Sequence, residues 1–190
     1  MPRPAGVRTR VERAALELFA ANGFDGVSIA DIAAAAGVSQ GALYRHYAGK
    51  EELAWTLFST AYLRTGADLD AIRASRSGLD ARVTAMVAHF CALYDDDPAL
   101  FRFMLIAQHG LLPRLQQGSR TPVDAIADVV VDAVVEKQLM PIDPAAGTAV
   151  IMGVILQTAT FHIYGRLTGS LSARAPALAR AAIASVKALA

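Results

Sequence analysis

The stretch from Ser28 to Leu53 constrains this chain more than any other. Ser28 stands three residues before Asp31, the spacing of a reciprocal N-cap in which a hydroxyl accepts from the third backbone N–H and a carboxylate answers it. Ile29, Ile32, Ala33 and Ala36 then recur at helical spacing and give one apolar face. Gly37 ends that helix, because a left-handed terminal residue costs glycine little. Val38 plugs the corner, and Ser39 is a second N-cap. Only about seven residues follow before Ala48-Gly49, so the second helix has roughly two turns and is marginal alone in water. Leu43 and Tyr47, four apart, are its inward pair. Gln40, Gly41, Ala42, Tyr44 and Arg45 point away. A longer helix starts after Gly49, with Glu51 and Glu52 favourable near its positive end.

Helix, tight turn and short second helix make a helix-turn-helix. Small and hydrogen-bonding residues at the start of an exposed short helix suit the DNA major groove, where Gln and Arg make bidentate contacts to base edges. Tyr44, His46, Lys50 and the helix N-termini suit phosphates.

The residues Ala14-Ala15, Leu18-Phe19, Gly23-Phe24, Ser28, Asp31-Ile32-Ala33, Ala36-Gly37-Val38-Ser39, Gly41-Ala42-Leu43-Tyr44, His46-Tyr47 and Lys50-Glu51-Glu52-Leu53 resemble the TetR/AcrR family of bacterial transcriptional regulators. The likeness is tight over about the first 55 residues and beyond them rests on length and helix count. It implies an all-α chain: a helix-turn-helix DNA-binding domain over residues 1–50, with the connecting helix begun by about 55, and a helical ligand-binding and dimerisation domain over 51–190. It implies Gln40, Gly41, Ala42 and Arg45 as base-reading positions and Ser28, Tyr44, His46 and Lys50 as phosphate-facing ones. Ala30 departs from it, standing where many relatives carry a polar or basic residue that can reach DNA. The resemblance also implies a homodimer through the last two helices, suited to a palindromic double-stranded operator, and a small-molecule effector in the body. Candidates for that pocket are Tyr62, Phe90, Phe101, Met104, Gln108, His109, Met152, Gln157, Phe161 and His162. Their aromatic and methionine content hints at an apolar effector, while ordinary core packing explains the same residues. His109, Gln157 and His162 are the sharper candidates, because buried polar groups need partners.

Charge adds little. The net charge is +1; residues 1–50 carry six basic and four acidic residues, the remainder 12 and 13. A strongly basic footprint would have supported DNA binding and is absent. The single cysteine, Cys91, excludes an internal disulfide and fits a reducing cytoplasm. No apolar leader follows the basic N-terminus. Arg3, Arg8 and Arg10 make a basic arm, either simply solvated or reaching phosphates or a minor groove.

Periodicity places a first helix over 7–21, with Val11, Ala15, Leu18 and Phe19 inward, and a long helix from Gly49 to about Ser75. Further helices are expected over 79–94, 99–110 and from Thr121-Pro122 to about Leu139, the last with Val123, Ile126, Val130, Val134 and Val135 inward. Asp124, Asp128 and Asp132 form a solvated acidic stripe beside them. Residues 144–165 carry no formal charge, a length that could cross a bilayer. Polar residues and three glycines interrupt the segment. A helix buried by its own body on one side and by a partner on the other is the simpler reading. A last helix covers 177–190, with Leu178, Ala182, Val186 and Leu189 along one stripe. The count is about nine helices and no convincing strand.

Asp95-Asp96-Asp97 with His89 and His109 raise the thought of a metal, but capping and solvation account for them. No phosphate-binding Gly-rich loop, zinc spacing or nucleophile elbow appears, so neither cofactor nor enzymatic activity is expected. The function expected is a sequence-specific transcriptional regulator, a repressor released from its operator by a ligand. A ligand-independent architectural DNA-binding protein with the same head is the main alternative, and a helical enzyme a distant one.

Overall fold

Caps decide where the helices begin. Ser28 accepts from the Asp31 amide while the Asp31 carboxylate accepts from the Ser28 amide at 2.9 Å, and Thr121 and Asp124 repeat the arrangement. Ser39 accepts from the Ala42 amide, and Asp143 from the Ala145 amide. Each satisfies a backbone donor that the first helical turn leaves without a partner. The structure, a computed structural model, describes residues 6–190; Arg3 of the expected basic arm lies outside them. The described residues form α1 (Val7–Asn22), α2 (Ile29–Ala35), α3 (Gln40–Tyr44), α4 (Lys50–Ser75), α5 (Leu79–Asp96), α6 (Pro98–Leu111), α7 (Pro122–Val135), α8 (Pro144–Ile163) and α9 (Ala175–Lys187), with short 3-10 turns at Leu112–Arg114 and Ser172–Arg174. Nine α-helices and no strand among the described residues make the chain all-α.

Contacts divide it into two units. One comprises the described part of Met1–Ala61 with Ala99–Gln116; the other comprises Tyr62–Pro98 with Gln117–Ala190. The long helix α4 supplies residues to both, and α6 belongs with the first.

In the first unit Val11, Ala15, Phe19, Ile32, Leu43, Leu53 and Phe58 are almost wholly enclosed. The Phe19 ring stacks on Phe103 of α6 at 5.7 Å and lies 5.5 Å from Phe24. Gly37 has φ +63°, a left-handed conformation that side chains rarely adopt, so the α2–α3 turn requires glycine there. Tyr47 is buried, and its hydroxyl donates to Glu12 of α1 at 2.6 Å. Burial and then the Glu12 carboxylate push the phenol up to about 12, so it stays a donor. Arg8 of the expected arm pairs with Glu12 one turn along α1.

In the second unit α5 packs on α7, α8 and α9, and α8 on α7 and α9. At Gly66 a Cβ would stand 2.9 Å from the Arg120 carbonyl oxygen and the Thr121 carbonyl carbon; only glycine lets the backbones approach so closely. Helix α7 ends at Val135, earlier than expected, because Lys137 takes φ +57° and the Gln138 amide turns back to the Ala133 carbonyl. Its inward face is also corrected. Ala125, Ile126, Val129, Val130 and Ala133 are enclosed, whereas Val123 and Val135 are exposed.

The acidic stripe is corrected too. Asp124 belongs to the α7 cap. Asp128 and Asp132 face arginines: Arg73 pairs with both, Arg82 with Asp132 and Glu136, and Arg120 with Asp70 and Asp128. The Arg120 guanidinium holds the Asp70 carboxyl below its ordinary range, and Arg73 does the same to Asp132. Elsewhere in the unit Asp95 accepts from the Ser170 hydroxyl and from the Leu171 and Ser172 amides. Burial alone would raise the Asp95 carboxyl; these hydrogen bonds outweigh it and hold it well below the usual range.

Helix α8 is long and apolar enough to cross a membrane by length and composition. Its Gly147, Thr148, Ile151, Ile155 and Ala159 are nonetheless buried within the unit. The opposite stripe, Ala145, Ala149, Gly153, Gln157 and Phe161, is exposed and continues into Tyr164.

Candidate nucleic-acid interface

Helix α3 is five residues long and stands only because its inward side chains are gripped. Leu43 is wholly enclosed, and Ser39 holds the first turn. With Leu43 and Tyr47 inward, the helix must present Gln40, Gly41, Tyr44 and Arg45 to solvent, and all four are exposed. Ala42, expected among the outward residues, is only 8% exposed and lies beside Leu43 on the inner side. A residue two positions after Gln40 falls about 200° round the helix, so both cannot face outward.

Ser28, Tyr44 and Lys50 line one shallow groove together with Asp25, Gly26, Val27 and Ile29. Two helix N-termini, those of α2 and α4, open onto it, and both favour anions. Tyr44 is 52% exposed. His46 is exposed but is not among the residues lining the groove. Lys50 is held on two sides: its Nζ donates to the Phe24 carbonyl at 2.9 Å and sits 4.2 Å from the centroid of the Phe24 ring. Phe24 therefore positions the ammonium, a role that sequence reasoning missed. The Gly23-Phe24 pair stands among the residues of the resemblance, but nothing local marks it as a platform for Lys50. Glu52 reaches back to accept from the Ala48 amide, tying the approach to α4. The groove also holds Asp31 and Glu51. Asp31 is turned to Ser28, whose hydroxyl and amide hold its carboxyl below the ordinary range.

The ten candidate pocket residues are dispersed. Phe101 and Met104 are buried in the first unit; there Gln108 donates to the Leu105 carbonyl, and His109 is exposed. Tyr62 and Phe90 are buried in the second unit, where Met152 is half-buried and Gln157 and Phe161 are exposed. His162 has both ring nitrogens engaged, Nδ1 with the Tyr94 hydroxyl at 2.9 Å and Nε2 with the Gly169 carbonyl at 2.5 Å. Its partners are internal, so it ties the end of α8 to the following loop. None of the ten lines the apolar cavity of about 390 Å³ in the first unit.

Three grouped helices with a capped, solvent-facing third helix make a helix-turn-helix. Residues 13–55 match the family model for bacterial regulatory proteins of the tetR family. Over these residues the chain is similar to that family, and it spans about a third of the length of the curated relative it matches. A relative from Mycobacterium tuberculosis, named "Putative mycofactocin biosynthesis transcriptional regulator MftR", is 43% identical over 74 residues, covering 39% of this chain and 37% of that protein. The fold as a whole is similar to the fatty acid degradation regulator FadR from Bacillus halodurans, with a TM-score of 0.77 and 16% identity over 95% of this chain and 96% of that one. It is also similar to FadR from Bacillus subtilis, solved in complex with stearoyl-CoA, with a TM-score of 0.72 and 17% identity over 92% and 97% of the two chains.

Proposed function

We propose that this chain is a sequence-specific transcriptional regulator that binds a palindromic operator as a homodimer and acts as a repressor released by a small apolar effector. The observation that carries the reading is the exposed edge of α3, Gln40, Gly41 and Arg45, beside a groove lined by Ser28, Tyr44 and Lys50. Gln40 and Arg45 read base edges in the major groove. Gly41 lets the helix lie close. Ser28, Tyr44, His46 and Lys50 meet phosphates and fix the register. Ala42 contributes packing behind that edge.

Residues 1–50 form the DNA-binding domain and 51–190 the effector-binding and dimerisation domain. Two copies pair through α8 and α9, and the exposed stripe of α8 supports this, since its first half is alanine and glycine and admits close helix approach. A two-fold dimer then sets two α3 helices one helical turn of DNA apart, about 34 Å. The effector lies in the second unit, with Tyr62, Phe90 and Met152 as its candidate lining, and it acts by favouring a dimer whose heads are wrongly spaced for the operator. The stearoyl-CoA bound by the Bacillus subtilis regulator supports an effector with a large apolar part. The protein works in the cytoplasm, where its DNA is, and catalyses no reaction.

The test is a pair of substitutions read by DNA titration. Lys50→Ala is expected to weaken binding to all sequences alike and to lower the salt slope by about one. Arg45→Ala is expected to relax preference at one operator position by about 1–3 kcal/mol. Unchanged affinity and slope in the first, or unchanged preference in the second, would remove that residue from the interface.

A further inference from the structure

The first unit contains a cavity that the proposed effector site does not use. It has a volume of about 390 Å³, is partly open to solvent, and is walled by Phe24, Phe103, Ile106 and Leu111, with Glu51 and Arg114 as its charged lining. That volume lies within the range of small-molecule sites, about 300–1,000 Å³, which are mostly apolar with a few polar groups to orient the ligand. We propose that this cavity binds an amphipathic monocarboxylate of medium chain length, apolar tail inward and carboxylate on Arg114, and that the occupant regulates the head through Phe24.

The two charges are not equivalent. Glu51 stands in the first turn of α4, where the positive helix end already compensates it. The Arg114 guanidinium lies 4.8 Å from the centroid of the Trp55 ring and makes no ion pair with a carboxylate among the described residues. An exposed guanidinium stacked on an aromatic face at the edge of an apolar cavity offers a bidentate site for a carboxylate. The coupling to DNA follows from Phe24. One face of the cavity is Phe24, and the same residue carries Lys50 through its ring and its carbonyl. An occupant pressing on Phe24 moves the platform under a phosphate-facing ammonium. The regulatory consequence rests on the DNA-reading proposal; the binding does not.

Trp55 is the single tryptophan of the chain, so its emission reports on Arg114 directly. The probe is decanoate, below its aggregation concentration, titrated into the intact protein beside decanol and decyltrimethylammonium. A saturable change in Trp55 emission is expected with decanoate, at lower concentration than with either comparator. At Gly110 an added Cβ meets nothing within 4 Å, and the residue lines the cavity within α6, so Gly110→Leu fills the space and replaces a poor helix former. It is expected to weaken decanoate binding about tenfold or more, equal to 1.4 kcal/mol. Ala107→Phe fills the same cavity from one turn earlier should the first variant fold poorly. Arg114→Gln is expected to abolish the preference for decanoate over decanol. No saturable change, an undiminished response in both filled variants, or equal binding of decyltrimethylammonium would overturn the site. Decanoate is further expected to lower DNA affinity in the wild type and not in the filled variants. Binding at Trp55 with unmoved DNA affinity would overturn the link through Phe24. A wild type that binds no DNA would sink the DNA-reading proposal, while the Trp55 titration would still decide the site.

Discussion

The head and the second unit are both helical, and they are specified in different ways. In the head, neighbours in sequence set nearly every boundary. Ser28 and Asp31 start α2, Gly37 ends it, and Ser39 starts α3. In the second unit the partners are remote. Arg73 meets Asp132 across 59 positions, Arg120 meets Asp70 across 50, and Asp95 holds residues 170–172 from more than 70 positions away. Local specification makes a rigid presenting surface from few residues. Long-range specification makes a body whose helices are tied by polar contacts that salt and pH can reach.

The sharpest way to break this contrast is Leu43→Ala. Leu43 is wholly enclosed and α3 has only five residues, so the loss is expected to be about 2–5 kcal/mol, with DNA binding abolished. A thermal melt followed by circular dichroism, paired with a DNA titration, checks it; near-wild-type binding would show that α3 is held by something else.

Acid should act next, and chiefly on the second unit, because the head's Asp31 carboxyl, also held low, is exposed. The carboxyls of Asp70, Asp95 and Asp132 are all held below their ordinary values. A depressed folded-state pKa gives stability that is present above the unfolded value, about 3.9, and is lost as pH falls through the folded value. The second unit is therefore expected to hold its stability down to about pH 4 and to lose it below. Asp95→Asn should remove part of that acid dependence. A melting series from pH 7 to 2 that is identical for wild type and Asp95→Asn would contradict the assignment.

Smaller effects sharpen it. Arg73→Ala leaves Asp128 and Asp132 to Arg120 and Arg82, so the destabilisation is expected to be modest, about 1 kcal/mol, and to shrink in high salt. Thr121→Ala removes the α7 cap and is expected to cost about 1 kcal/mol by chemical denaturation, with little change at high salt. Equal salt dependence in the two variants would erase the distinction between ionic ties and caps.

The head was legible because its signals are short-range. Caps, a turn glycine and an i, i+4 apolar pair need no knowledge of what lies across the fold. The departures have the same origin. Ala42 looks outward in a list of small residues, yet a five-residue helix with Leu43 inward leaves it no outward direction. Lys50 is a phosphate candidate by type, but its carrier Phe24 lies 26 positions earlier, beyond any helical spacing. In α7 a run rich in valine satisfies more than one inward stripe, and the pairing of Asp128 and Asp132 with remote arginines chose between them. The mixed candidate set for the effector shows the limit most clearly. Aromatic, methionine and histidine residues suit a pocket by type, while His162 is consumed by Tyr94 and Gly169, partners that no local pattern announces.

The central claim is that the exposed edge of α3 reads DNA sequence. Selection of bound fragments from a random duplex pool by the purified protein, repeated with Arg45→Ala, tests it most directly. A palindrome with half-site centres about one helical turn apart or a multiple of it, losing its preference at one position per half-site in the variant, is the predicted result. Fragments with no common sequence, or the same sequence from both proteins, would contradict it.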